Sequence, residues 1–497
     1  MTTVTKPAGQ AILFKAISSG ILAALSFSPL MAAEQKVQPK PTGAMVTDRS
    51  TGSAINHSKA SPSNQSAESS GDKPTSVSGS GSNLMGKVDN VVIGSGVTQA
   101  MTARYKGAWQ MFLQNPCRTG NSYIDIAPAT QGKVKWTFPA EGPIDSSPAI
   151  YKGVIYVGSD DGHVYAIDET SGRMLWRSKL GDKVKSSPAV EGGVLVVGCE
   201  DKKVWGLSSQ TGKVLWSFET KDRVSSSPAV HDGVAYVGGW DGILYALEAK
   251  TGKLRWQFPA AANHNIEGEK TEATPALAET TRAVPPVESP EPVAKAAASP
   301  GIPTSSLGRI TSSPCVGPNM VIVTAHNGNV YAVSTHDGSL LWQFRTGGKI
   351  MASPMILDNL VYFGSWDHAF YAVDLATGKQ RWKTGAAESF SIAATGVGGR
   401  IFASNDDLKL YCFDAKTGKV IWKTQINSPV PLLSSSPAIA GNMLYCGSPD
   451  SNVYAIDIRN GAIKWKLKTQ RPIVSSPAVF GGGVCVGSQD GNLYLIN

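Results

Sequence analysis

An all-β chain in which eight four-stranded units close into a ring is what this sequence predicts. Three observations carry the prediction. A tryptophan recurs at Trp136, Trp176, Trp216, Trp256, Trp342, Trp382, Trp422 and Trp465, and five of the seven gaps are 40 residues. Each copy divides into short β-branched and aromatic runs separated by Asp-Gly and Ser-Gly turns. The last copy ends one strand short, and a strand of the missing kind stands ahead of the first copy, at residues 132–136.

In chain order, the first feature is an apolar run from Ala16 to Ala33, preceded by Lys6 and Lys15 and ending in Met31-Ala32-Ala33. It reads as an export signal over residues 1–33, because the run is short and interrupted by Ser and Gly. No later stretch is long and apolar enough to span a membrane. Residues 34–105 are rich in Ser, Gly, Thr, Pro and Lys, and such a segment buries too little apolar surface to offset its ordering entropy. The expectation there is a disordered tether. Trp109-Gln110-Met111-Phe112 and Asn115-Pro116-Cys117-Arg118-Thr119-Gly120 then open the folded part, 106–497, as a lead-in packed on one face of the array.

In the first full copy, Ser146-Ser147-Pro148-Ala149-Ile150 is one strand signal and Val154-Ile155-Tyr156-Val157-Gly158 the second. His163-Val164-Tyr165-Ala166-Ile167-Asp168 is the third, and Arg173-Met174-Leu175-Trp176 starts the fourth. Four antiparallel strands in 40 residues make one blade of a β-propeller. The first-strand motif returns at Ser186, Ser226, Ser312, Ala352, Ser435 and Ser475, with a degenerate copy Ser391-Ile392-Ala393-Ala394, which makes eight. Strand 132–136 completes the last blade, so pairing of the N- and C-terminal strands closes an eight-bladed propeller with no open edge between first and last blades. One Trp gap is 86 residues, 46 longer than usual, and its excess is Pro-, Ala-, Glu- and Thr-rich. It reads as a disordered insert at about residues 260–308.

The Ala166, Gly172, Trp176 frame recurs as Ala246, Gly252, Trp256; Ala332, Gly338, Trp342; Ala372, Gly378, Trp382; and Ala455, Gly461, Trp465. Gly206 and Cys412 replace the Ala in two copies. A small residue and a turn glycine leave room for an indole, whose N–H then needs an acceptor. All eight Trp therefore read as structural docking residues. With its frame, the repeat resembles that of the pyrroloquinoline-quinone (PQQ) enzyme, or quinoprotein-like, β-propeller family. That resemblance implies the propeller and Trp locking of neighbouring blades.

Two repeat positions bear on function. Asp161, Asp201, Asp241, Asn327, Asp367, Asp407, Asp450 and Asp490 share one place in the repeat, which reads as turn chemistry rather than metal binding. The preceding residue varies: Asp160, Glu200, Trp240, His326, Trp366, Asp406, Pro449 and Gln489. Trp240, His326 and Trp366 come from three successive blades on the face that carries the blade-to-blade connections. They are the candidate partner-binding face, since aromatic side chains are favoured anchors.

The net charge is +8, but no Lys/Arg run of the kind that marks a nucleic-acid patch occurs. Cys117, Cys199, Cys315, Cys412, Cys446 and Cys485 include no adjacent pair and no CxxC. Small buried apolar roles are expected of them, with disulfides the alternative that export allows. The family resemblance raises PQQ- and calcium-dependent alcohol or sugar oxidation. Against it, the blades carry little extra loop, and the adjacent cysteine pair of the family's alcohol dehydrogenases is missing. The expectation is a non-enzyme without catalytic, cofactor or metal residues: a monomeric, exported envelope propeller acting as a scaffold for a protein partner, similar to those that serve outer-membrane protein assembly. A PQQ dehydrogenase and a small-ligand or polysaccharide binder are the alternatives.

Overall fold

Gly and Asp-Gly turns at 40-residue spacing leave each repeat no longer than four short strands, and that is what forms. The computed structural model describes residues 111–115, 117–120, 128–259, 306–426, 435–481 and 483–497. The export signal, the tether, Trp109, Gln110 and residues 260–305 of the insert lie outside the described residues. Among the described residues there are eight four-stranded antiparallel sheets and no helix. Blade 1 runs Ala149–Tyr151, Val154–Gly158, His163–Asp168 and Met174–Lys179, from the axis outward. The other blades repeat it. Blade 8 takes Ala478–Phe480, Gly483–Gly487 and Asn492–Ile496 from the C-terminal end, and Val134–Pro139 adds as its outermost strand. Thr137 faces Tyr494 and Phe138 faces Leu493 across that closure. The eight-bladed ring closed by both end strands is thus as the repeat count requires.

The blades stack through the tryptophans. Trp136 Nε1 donates to Glu169 O, Trp216 to Ala249 O, Trp342 to Leu375 O and Trp465 to Ala129 O, and the other four do likewise to the next blade, all at 2.9–3.2 Å. Each indole lies on the turn glycine of that next blade. A Cβ on Gly172 would come 2.7 Å from Trp136 Cδ2, and one on Gly378 2.7 Å from Trp342 Cδ2. These glycines also have φ near +70°, where a side chain is strained anyway. A register shift in the outermost pair puts the residue before each Trp in a bulge, as between Ala166↔Trp176 and Ile167↔Met174. A bulge re-aims the side chain that follows it. Here it turns the indole toward the neighbouring blade.

Three expectations need correction. The inner strand of blade 6 pairs Thr395 with Phe402, as blade 1 pairs Ala149 with Tyr156. Ile392, not Ser391, therefore matches Ser146, and the degenerate copy is shifted by one residue. The 40-residue spacing decides this register, and Ser391 takes the place of Asp145, Ser225 and Thr311 instead. Residues 306–308 are not part of a disordered insert: Leu307 is fully buried, and its N–H donates to Gly242 O at the place Leu180 and Thr220 take after blades 1 and 2. Finally, the lead-in does not lie on one face. Its described residues run along the axis. Ile356, Gly396 and Ile439 donate their N–H groups to Cys117 O, Thr119 O and Gly120 O, so the segment caps the inner strands of blades 5, 6 and 7.

All six cysteines are buried and free, as small apolar residues would be. Burial pushes the Cys117, Cys199, Cys412 and Cys446 thiols up to about 12, which leaves them protonated and unreactive at neutral pH.

Candidate functional site

The concavity that brings repeat exceptions together is the mouth of the axial channel. It has a volume of about 270 Å³ and is walled by Asp145, Ser225, Thr311, Met351, Ser391 and Val474, with Phe112 of the lead-in at its floor. Ring closure organises the wall. Ser147 N–H donates to Ser187 Oγ, Ser187 to Ser227, Ser227 to Ser313 and Ser313 to Ser353, and the chain resumes from Ser436 to Ser476 and back to Ser147, all at 2.8–3.0 Å. Blade 6 interrupts it, because Ala393 stands where the others carry the hydroxyl. Below the ring, Arg118 is fully buried and donates to Phe112 O at 2.8 Å, Ser227 O at 3.0 Å and Pro314 O. Burial pushes this guanidinium down to about 9, so it remains charged at neutral pH. Backbone carbonyls supply its counter-dipoles.

The turn residues behave as read. Asp241 accepts from Ile243 N–H, from Tyr245 O–H at 2.7 Å and from Lys221 N–H of the connection. Asp450 and Asp490 repeat the bond to a Tyr hydroxyl, and Asn327 reaches Tyr331 through its amide. Desolvation works against the Asp161 carboxylate, but bonds from Tyr165 and His163 outweigh it and keep its pKa low. Among the described residues no three His, Cys, Asp or Glu side chains converge as a metal site would need.

In three blades the residue before the turn carboxylate or amide meets the residue fifteen positions earlier, at the wall of the mouth. Trp240 Nε1 donates to Ser225 Oγ at 2.7 Å. His326 Nε2 lies 2.9 Å from Thr311 Oγ1. Asp406 accepts from Ser391 Oγ at 2.6 Å. In blade 5 the partner position is Met351, and the buried Nε1 of Trp366 has no acceptor. The structure therefore gathers Trp240, His326 and Trp366 on one rim, all half-buried.

The opposite side of the mouth is ionic. Lys185 lies 2.7 Å from Asp145 and 3.1 Å from Asp160. Burial works against its ammonium, but the two carboxylates outweigh it and hold its pKa above the ordinary lysine value. Gln489 Nε2 donates to the other oxygen of Asp145, across the closure. Asp406 is different: burial first, then Glu388 and Asp407, push its carboxyl up to about 6 against the Ser391 bond. His326 is held below the usual imidazole value by burial and by Lys349 and Arg309, so it is neutral. The sequence did not single out Asp145, Arg118, Phe112 or Arg309. A larger groove of about 490 Å³ between blades 1 and 2 is walled by Trp176 and Tyr156. Its one charged lining residue is Lys152, and it reads as space left by indole docking.

A family profile described as outer membrane protein assembly factor BamB matches residues 120–285, 295–391 and 371–497. No curated protein matches the chain. Among solved structures, BamB from Moraxella catarrhalis is 16% identical, with a TM-score of 0.57 over 73% of this chain and 99% of that one. A europium-containing methanol dehydrogenase is also 16% identical, with a TM-score of 0.62 over 79% of this chain and 92% of that one. A quinohemoprotein alcohol dehydrogenase from Comamonas testosteroni is 15% identical, with a TM-score of 0.59 over 80% and 83%. Identities this low carry the fold, which enzymes and an assembly factor share.

Proposed function

Because the chain belongs to the outer membrane protein assembly factor BamB family, we propose that it is an exported, non-catalytic propeller of the cell envelope that docks protein partners in outer-membrane protein assembly. The mouth rim formed by Trp240, His326 and Trp366 is its docking face. One observation carries this reading: three successive blades set aside the ordinary polar turn residue and place two indoles and a neutral imidazole side by side at the channel mouth. Flat, half-buried rings beside charged groups are what protein interfaces use as anchors. The donor set supports the same reading. A calcium–quinone site needs converging oxygen ligands and a free carboxylate base. Here Asp145 and Asp160 share Lys185, and Asp406 holds Ser391.

The test is capture of a partner from envelope extract by the wild-type protein and by Trp240→Ala and Trp366→Ala, with circular dichroism to verify the fold. Capture should fall in both variants. Equal capture would remove the face assignment. An absorbance titration with PQQ and calcium separates the enzyme class: stoichiometric uptake with dye-linked alcohol oxidation would overturn the scaffold reading.

A further inference from the structure

Each described inter-blade connection presents a backbone carbonyl to the N–H of the residue that precedes the turn carboxylate. At four successive connections the residue carrying that carbonyl is cationic: Lys183, Arg223, Arg309 and Lys349. The first two cations have carboxylate partners. Lys183 lies 3.3 Å from Asp160, and Arg223 lies 3.9 Å from Glu200. On the next blades the acidic position is Trp240, His326 and Trp366, so the cations meet rings. Arg309 lies 4.8 Å over Trp240, and Lys349 lies 5.7 Å over Trp366. Both are exposed, and neither forms an ion pair with a described residue. The neutral His326 between them supplies no negative charge.

This arc carries two exposed cations, Arg309 and Lys349, without an ion-pair partner among the described residues. The guanidinium of Arg309 and the ammonium of Lys349 face solvent, whereas the indole N–H of Trp366 is buried and has no acceptor. The comparison with Trp240 gives the cause. The same indole in blade 3 has Ser225 as its acceptor, and blade 5 puts Met351 there. The acidic side chains Asp145, Asp160, Glu200 and Asp406 belong to blades 1, 2 and 6, outside the arc, and the turn carboxylates within it are engaged, Asp241 by Tyr245 and Lys221 and Asp367 by Tyr371 and Lys383. The field across the mouth is therefore polarised, with its unpaired positive charge on blades 3 to 5.

Building on the docking reading above, we propose that this arc binds the carboxylates of an acidic peptide segment. Guanidinium and ammonium groups beside an aromatic wall suit carboxylates. The mouth has a volume of about 270 Å³ and is lined by Phe112 of the lead-in and by Ser225, Thr311 and Met351 of the arc's blades. It admits a side chain or a chain end, and Trp240 offers a flat anchor beside the charges.

The test uses fluorescein-labelled hexaglutamate, followed by anisotropy with the whole protein at low salt. Hexaglutamate should bind, and hexaglutamine should not. Arg309→Gln and Lys349→Gln should each weaken binding about fivefold. Lys416→Gln, in a turn on the opposite face, should leave it unchanged. The proposal is overturned if hexaglutamate does not bind, if Arg309→Gln and Lys349→Gln bind as tightly as wild type, or if Lys416→Gln weakens binding as much as they do. Displacement by an equal concentration of inorganic phosphate would overturn it in favour of a general anion site. Failure here with partner capture still lost in Trp240→Ala would leave the docking face standing and remove only its acidic ligand.

Discussion

Gly206→Ala tests how tightly the blades are docked. Most blades carry Ala at this place in the frame, so repeat statistics alone predict a harmless or helpful change. The structure predicts the opposite. An ideal Cβ on Gly206 would sit 2.6 Å from Trp216 Cδ2, and nearer still to Cε2 and Nε1. The indole cannot simply back away, because its other side lies on Gly252 of the next blade, whose ideal Cβ is also 2.6 Å from Cδ2. Its Nε1 is held by Ala249 O at 2.9 Å. Overpacking a well-filled site costs about 1–3 kcal/mol. Replacing a strand glycine returns about 0.5–1 kcal/mol of backbone entropy. The net expectation is a loss of about 1–2 kcal/mol. In thermal melts followed by calorimetry, that is a fall of a few degrees in Tm. Cys412→Ala, at the same frame position in blade 6, is the matched control and should change little. A Gly206→Ala protein as stable as wild type would refute the argument and show that the indole shifts freely between blades.

Three further outcomes follow from the geometry. Asp406 binds its proton more tightly folded than unfolded, so its contribution to stability is fully present below about pH 4 and is lost as pH rises through about 6. Asp406→Asn keeps an acceptor for Ser391 and should raise Tm at pH 7.5 but not at pH 4; an equal gain at both values would sink the assignment. Arg118→Met strands the carbonyls of Phe112, Ser227 and Pro314 while sparing the burial of a cation, and should cost about 2–4 kcal/mol in denaturant melts. Met351→Ser restores to blade 5 the acceptor that Ser225 gives Trp240 and, because the Trp366 N–H is sealed from solvent, should leave hexaglutamate binding unchanged in the same anisotropy assay.

What repeats was legible in the sequence. The docking indoles, their glycines, the turn carboxylates and the closing strand each occupy a position seen eight times, and the structure gives each position one local geometry. What occurs once was not. Phe112 and Arg118 belong to a segment without sister copies, so no alignment of repeats could show that they fill the axis. Arg309 follows the insert directly, where the 40-residue frame is lost, and its tie to His326 runs through a connection seventeen residues upstream. Trp366 was found as an exception, but its open N–H depends on Met351, fifteen residues away. Ser391 shows the reverse error, in which residue identity misled and spacing would have been right.

Closure by the two end strands sets the order in which this molecule can become native. Val134–Pro139 waits for Asn492–Ile496, more than 350 residues later. Bringing such distant segments together costs about 5 kcal/mol of chain entropy. No local contact repays that cost until the final strand arrives. A chain released before that strand is made would expose both flanks of blade 8, the kind of unpaired edge that proteases and aggregates find first. Without Asn492–Ile496 the ring has no seam to close, so the longest-range pairing in the fold is also the one that protects its edges.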